Sequence, residues 1–205
     1  MRTVTAHLAR TLSIAALAAS SGLAASSAAA SPALRQGSFA NDDEHAVFSF
    51  TLASAGPVSA RTLSYGGGQA PGGSLVAAGG FAPILSLFEA GSGLLQLAAG
   101  SGRTCNSPVS AAVDPATGLC WDARFDLDLA AGDYTLVLTQ DGNAPLGPDA
   151  AGPFLMDGQP DYSGRFFLGQ AGLRFINADG SSRTGQWALL LDVEPAPLNP
   201  VPAPA

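Results

Sequence analysis

The chain has no lysine, two cysteines and two histidines among its 205 residues, and charged side chains make up only 12% of it. Each shortage excludes something. Nine arginines stand against 16 Asp and Glu, so no basic stripe exists to neutralise phosphates, and nucleic acid and anionic lipid surfaces are repelled. Of the histidines only His45 lies beyond the first ten residues, which leaves a nucleophile–imidazole relay a single base to draw on. No serine sits in a Gly-x-Ser-x-Gly elbow. The apolar run from Leu12 to Ala19 is shorter than the ~20 residues that cross a bilayer as a helix. Low charge with 25 Gly and 15 Pro would suit a disordered chain, yet 47% of the residues are hydrophobic, and disorder needs low hydrophobicity together with high charge. The missing lysine, with abundant Ala, Gly and Pro, reads as a GC-rich coding bias.

What is present starts with the amino terminus. A basic start (Arg2, His7, Arg10), the short apolar run and a tract of small residues ending Ala28-Ala29-Ala30 before Ser31 predict a secretory signal peptide over residues 1–30. Localisation is therefore expected to be secreted or periplasmic. Cleavage leaves 175 residues with 7 Arg and 16 acids, a formal charge of −9, and a length that suits one domain. That domain is expected over residues 31–194. The remainder, residues 195–205, holds five prolines in eleven residues, a composition that favours extended polyproline II and forms no membrane anchor.

Periodicity in between points to strands. Phe48, Phe50 and Leu52 alternate with Ser49 and Thr51; Phe125, Leu127 and Leu129 with Asp126 and Asp128; Tyr134, Leu136 and Leu138 with Thr135, Val137 and Thr139; Trp187, Leu189, Leu191 and Val193 close the series. Period two places each set on one face of a sheet. Val58 to Tyr65, Ile84 to Phe88 and Leu94 to Ala98 are further strands, each bounded by Gly, Pro or Ser. No segment of a dozen residues after the signal has helical spacing. The expected fold is all-β, an antiparallel two-sheet β-sandwich of roughly seven to nine strands, each sheet dry on one face and wet on the other. Three long loops are expected, Gly66 to Gly80, Gly100 to Asp122 and Asp141 to Gly164, and loops of such length are commonly functional.

Cys105 and Cys120 both fall in the second loop. An even pair in an exported chain predicts a disulfide. Zinc would need two more N or S ligands where only His45 is on offer, and a redox dithiol normally has Cys-x-x-Cys spacing. His45 follows an acidic leader and reads as an exposed strand-edge residue rather than a base. Asp126 and Asp128 share one face of a strand and read as its solvated side rather than a glycosidase dyad. Two acidic clusters, Asp42-Asp43-Glu44 and Asp141-Gly142-Asn143, are the candidate calcium ligands, since Ca²⁺ prefers oxygens from carboxylate-rich loops. No other cofactor is implied. Trp121 and Tyr162 are candidate loop aromatics for stacking on sugars, with packing against the bridge the stronger role for Trp121.

Ala131-Gly132-Asp133-Tyr134-Thr135-Leu136-Val137-Leu138, after the strand Phe125 to Leu129, resembles the late hairpin of bacterial pre-peptidase C-terminal (PPC-like) β-sandwiches. Phe48-Ser49-Phe50-Thr51-Leu52, Thr62-Leu63-Ser64-Tyr65-Gly66-Gly67-Gly68, Gly79-Gly80-Phe81-Ala82-Pro83-Ile84-Leu85-Ser86-Leu87-Phe88, the two cysteines, the Tyr134 strand and Gly185-Gln186-Trp187-Ala188-Leu189 follow in the order of a family of exported proteins associated with PEP-CTERM sorting, a likeness that covers most of the mature chain. The chain departs from that family at Ala82, where relatives carry Asp, and at Ala98-Ala99-Gly100-Ser101-Gly102, where they carry an acidic turn. Asn199 to Ala205 resembles only the opening of a sorting tail. The resemblance implies an exported, non-catalytic structural or binding module, with an extracellular polysaccharide or a surface protein as partner. A histidine-free carboxylate hydrolase of glycoside type, or a calcium- or carbohydrate-binding module, is the alternative.

Overall fold

The structure, a computed structural model, describes residues 32–100, 102, 105 and 113–193. The signal and tail expected over 1–30 and 195–205 lie outside the described residues. Among the described ones no helix is long and apolar enough to cross a membrane.

The alternating segments form strands where period two places them. β1 is Ala33–Ser38, β2 Ala46–Leu52, β3 Gly56–Thr62, β4 Gly68–Gln69, β5 Leu75–Val76, β6 Pro83–Glu89, β7 Gly93–Ala99, β8 Arg124–Leu129, β9 Gly132–Gln140 and β10 Gln186–Val193; among the described residues one α-helix, α1, spans Tyr162–Leu168. Two four-stranded sheets, ordered β1-β10-β3-β8 and β2-β9-β6-β7, are antiparallel throughout. They bury Leu52, Val58, Ala60, Leu85, Leu87, Ala98, Phe125, Tyr134, Leu136, Leu138 and Leu189 between them, with Phe48, Phe50, Leu127 and Trp187 half-buried against that core. The chain is thus an all-β, two-sheet antiparallel sandwich. The Tyr134 ring stacks on Phe50 at 5.4 Å between centroids, and its hydroxyl donates to the Ala130 carbonyl at 2.9 Å, pinning the turn that leads into β9.

Four features depart from the pattern read in the sequence. β1 is an edge strand with too few apolar residues to alternate. The expected strand from Val58 to Tyr65 stops at Thr62, because Ser64 to Gly66 turn away to meet a buried carboxylate. The first long loop contains the β4–β5 hairpin, and the third runs into α1, seven residues long and so below the length at which helical periodicity is legible. Finally, β6 and β9 are buried on both faces over most of their length. The segment after β9 folds back as a hairpin, bridged at Pro145 and Phe154, and seats Phe154 on Phe88 and Val137 outside the second sheet. That cover replaces the wet face expected there.

The registers set the two ends apart. Ser38 opposite Gln186, Thr62 opposite Leu189 and Arg61 opposite Arg124 mark one end of the first sheet; Ala46 opposite Leu138, Pro83 opposite Gln140 and Ile84 opposite Ala99 mark the same end of the second. All four long connections, residues 39–45, 63–82, 100–123 and 141–185, cross between the sheets there. The strands are joined at the opposite end by the short turns 53–55, 90–92 and 130–131, and residues 148–150 of the last long connection reach back to the turn 90–92. Long loops held on a rigid sandwich are where recognition usually resides.

Candidate functional site: the loop-bearing end

Four crossing loops must be held against one another with little regular secondary structure beyond the β4–β5 hairpin and α1. Aromatic rings close the core beneath them. Phe39, Phe81 and Phe175 come from three different loops and stack in series, with centroids 5.3 and 5.7 Å apart, while Trp187 leans on Phe39 and Phe48. None of the three phenylalanines belongs to an alternating run, so the sequence carried no signal for them beyond hydrophobicity.

Carboxylates fasten the loops above. Asp122, fully buried two residues before β8, accepts from Thr62 Oγ1 (2.7 Å) and from the backbone N–H groups of Ser64 (2.7 Å), Tyr65 (3.1 Å) and Gly66 (2.6 Å). Burial pushes its pKa up, against the pull of those bonds. Asp42, also fully buried, accepts from the backbone and hydroxyl of Ser163 (2.8 and 2.6 Å) and from the backbone N–H of Phe175 (2.7 Å). Burial raises its pKa too, again opposed by its donors. Phe175 has φ of 53°, a left-handed conformation that costs a non-glycine residue roughly 1–2 kcal/mol, and the Asp42 bond holds it there. Asp161 accepts from Arg165 and from the backbone of Gly172, which together hold its pKa below the ordinary range.

The third fully engaged acid ties two loops together through a buried cation. Asp114 pairs with Arg183 at 2.9 Å, both side chains being less than one-tenth exposed, and the guanidinium lies over the Tyr65 ring, 3.7 Å from its centroid. Thr117 Oγ1 and the Ala116 N–H also donate to Asp114. Burial alone would raise this carboxyl, but the three donors hold it below the usual Asp value. An acid with a folded-state pKa below its unfolded one adds stability that is present above the unfolded pKa and lost as pH falls through the folded one. Asp114→Asn should therefore destabilise the protein by about 3 kcal/mol near neutrality, since it strands the Arg183 charge. The gap between wild type and variant in urea denaturation should be flat above pH 5 and shrink below pH 4. A gap that widened in acid would contradict the pairing.

The disulfide between Cys105 and Cys120 is formed, with the Cα atoms 5.2 Å apart. Trp121, half-buried, packs its indole on Gly102, where a Cβ would come within 2.6 Å of the ring. Tyr162 is not an exposed loop aromatic: it opens α1, is 4% exposed and donates its hydroxyl to the Asp141 carbonyl at 2.7 Å. Burial, reinforced by Asp42, Asp141 and Asp43 nearby, drives its pKa far up.

The two acidic clusters do meet, through Asn143 Nδ2 donating to the Asp43 carbonyl at 3.4 Å. The side-chain oxygens of Asp42, Glu44 and Asn143, however, already have partners within the chain. Asp42 is engaged as described. Glu44 accepts from Ala40 N–H (3.0 Å) and Asn41 Nδ2 (2.9 Å), and Asn143 Oδ1 accepts from Met156 N–H (2.9 Å). Burial raises the pKa of Asp141, which is half-buried. Among the described residues no three His, Cys, Asp or Glu side chains are grouped to hold a metal. His45 is exposed just before β2 and stacks on Phe154, centroids 5.2 Å apart. Asp126 and Asp128 are exposed on β8, Asp126 paired with Arg124 at 2.6 Å.

No family model matches the chain, and no curated protein is similar to it.

Proposed function

We propose that the chain is an exported, non-catalytic β-sandwich module that acts by binding at the cell surface or in the extracellular matrix, of the PPC-like kind associated with PEP-CTERM sorting. The observation that carries this reading is the use made of the buried acids. Asp42, Asp114 and Asp122 each accept at least three hydrogen bonds from within the chain. A general acid or base needs a carboxyl free to exchange a proton with substrate, whereas these carboxylates fix backbone. A preorganised loop surface is what a binding module requires.

The rival, a carboxylate hydrolase, has one observation in its favour. Glu89 and Asp149 line a common depression of about 380 Å³ beside the turn 90–92. Yet Asp149 already accepts from the Ala151 N–H at 2.9 Å, and the Tyr134 hydroxyl, 3.5 Å from Glu89, gives its one proton to the nearer Ala130 carbonyl. The same preparation decides between the two readings. Expressed from its own start codon in a bacterium, the full chain should appear outside the cytoplasm with Ser31 as its first residue by mass spectrometry. It should also be retained by washed cell-surface or matrix material. Unprocessed protein confined to the cytosol would overturn export; hydrolysis of glycan substrates that Glu89→Gln and Asp149→Asn abolish would overturn the non-catalytic reading.

A further inference from the structure

The outer face of the first sheet carries a groove of about 430 Å³, lined by Gln36, Ser38, Leu63, Val76, Gln186 and Ala188 among others. Its volume falls within the roughly 300–1,000 Å³ of small-ligand sites. Gln36 lies opposite Ala188 and Ser38 opposite Gln186 in the β1–β10 ladder, and residues directly opposite or two apart share a face. These four side chains therefore form one patch. Leu63, Val76 and Ala188 supply an apolar floor, packed with Leu190 and Leu34. The far wall is the β4–β5 hairpin, whose root is fastened by Asp122 through Ser64, Tyr65 and Gly66. Gly80 permits this close approach, since a Cβ there would lie 2.2 Å from the Gln186 carbonyl oxygen.

The groove's chemistry is neutral in a chain whose expected mature charge is −9. No lining residue is Asp, Glu, Arg or His. Anions are repelled by the protein as a whole, and a cation finds no carboxylate in the lining. Gln36 and Gln186 are exposed, and each carboxamide offers two donors and an acceptor, a set that matches adjacent hydroxyls on a sugar ring. The floor suits the ring's C–H face, as in ligand sites that combine apolar walls with a few placed polar groups.

We infer that this groove binds a neutral polysaccharide, Gln36 and Gln186 gripping its hydroxyls over the floor of Leu63, Val76 and Ala188. The inference rests on the binding-module reading and names the ligand class. Affinity electrophoresis of the mature protein in native gels containing dextran, laminarin, hydroxyethyl cellulose or alginate tests it. At least one neutral polymer should retard the protein, and alginate should not. The double variant Gln36→Ala/Gln186→Ala should raise the apparent Kd at least tenfold. Ala77→Trp, at an exposed rim position, should abolish retardation by filling the groove, with melting temperatures unchanged to show that both variants fold. No retardation by any neutral polymer overturns the inference. Retardation that both variants leave intact also overturns it while sparing the module reading, and retention on matrix without polymer binding assigns the partner to protein.

Discussion

Asp122→Ala should be the most damaging single substitution at the loop-bearing end, lowering stability by about 3–5 kcal/mol. The side chain is fully buried, and its removal leaves the Thr62 hydroxyl and the N–H groups of Ser64, Tyr65 and Gly66 without their acceptor. A buried donor that loses its partner costs about 1–3 kcal/mol, and partial access of water to the cavity keeps the total below the sum of four such losses. In a domain of this size that loss corresponds to a fall of roughly 6–20 °C in melting temperature. Asp122→Asn should cost less, because Oδ1, which takes three of the four bonds, can remain while the new amide opposes only the Gly66 N–H. Thermal unfolding of wild type and both variants gives the order directly. An alanine variant as stable as wild type would show that the 62–66 turn holds itself, and the account of the site as a carboxylate-fastened platform would fail.

The second large effect belongs to the bridge. Cys120→Ser should lower stability by about 3 kcal/mol, the value for closing a loop of this length, given the 15-residue separation of the two cysteines. Some local loss adds to this, since Cys120 is buried and its backbone pairs with Gly102 in both directions. The fold itself should survive, because the sandwich core is drawn from strands outside the bridged segment. Far-ultraviolet circular dichroism should be unchanged and the melting temperature about 6–12 °C lower. Thiol titration of the unfolded wild-type protein should give no free sulfhydryl before reduction and two after. Loss of the β-sheet spectrum in the variant would place the loop in the folding core rather than on it.

The strands were legible because alternation is local. Phe125-Asp126-Leu127-Asp128-Leu129 needs nothing beyond its own residues to specify a half-buried ribbon, and the structure places Phe125 inward and Asp126 and Asp128 in water. The bridge was legible by parity, two cysteines in one loop. The edge strand β1 was not, since Ala33-Leu34-Arg35-Gln36-Gly37-Ser38 has no apolar alternation and is held by its ladder to β10. Nor were the roles of the acidic clusters. Asp42 and Asn143 look like solvated turn residues or cation ligands, and both are fully buried as hydrogen-bonding partners of distant backbone.

The sequence by itself determined the fold class, the disulfide and the expectation of export, because periodicity, parity and a leader's composition are properties of neighbouring residues. Tertiary structure alone decided which carboxylates became fasteners and where a groove opened. Asp42 meets Ser163 and Phe175 across 121 and 133 residues of chain, and Gln36 meets Ser38's partner Gln186 only through the β1–β10 register. A carboxylate's role depends on the donors brought to it, and those donors arrive only when the two sheets close and carry their four long loops to the same end.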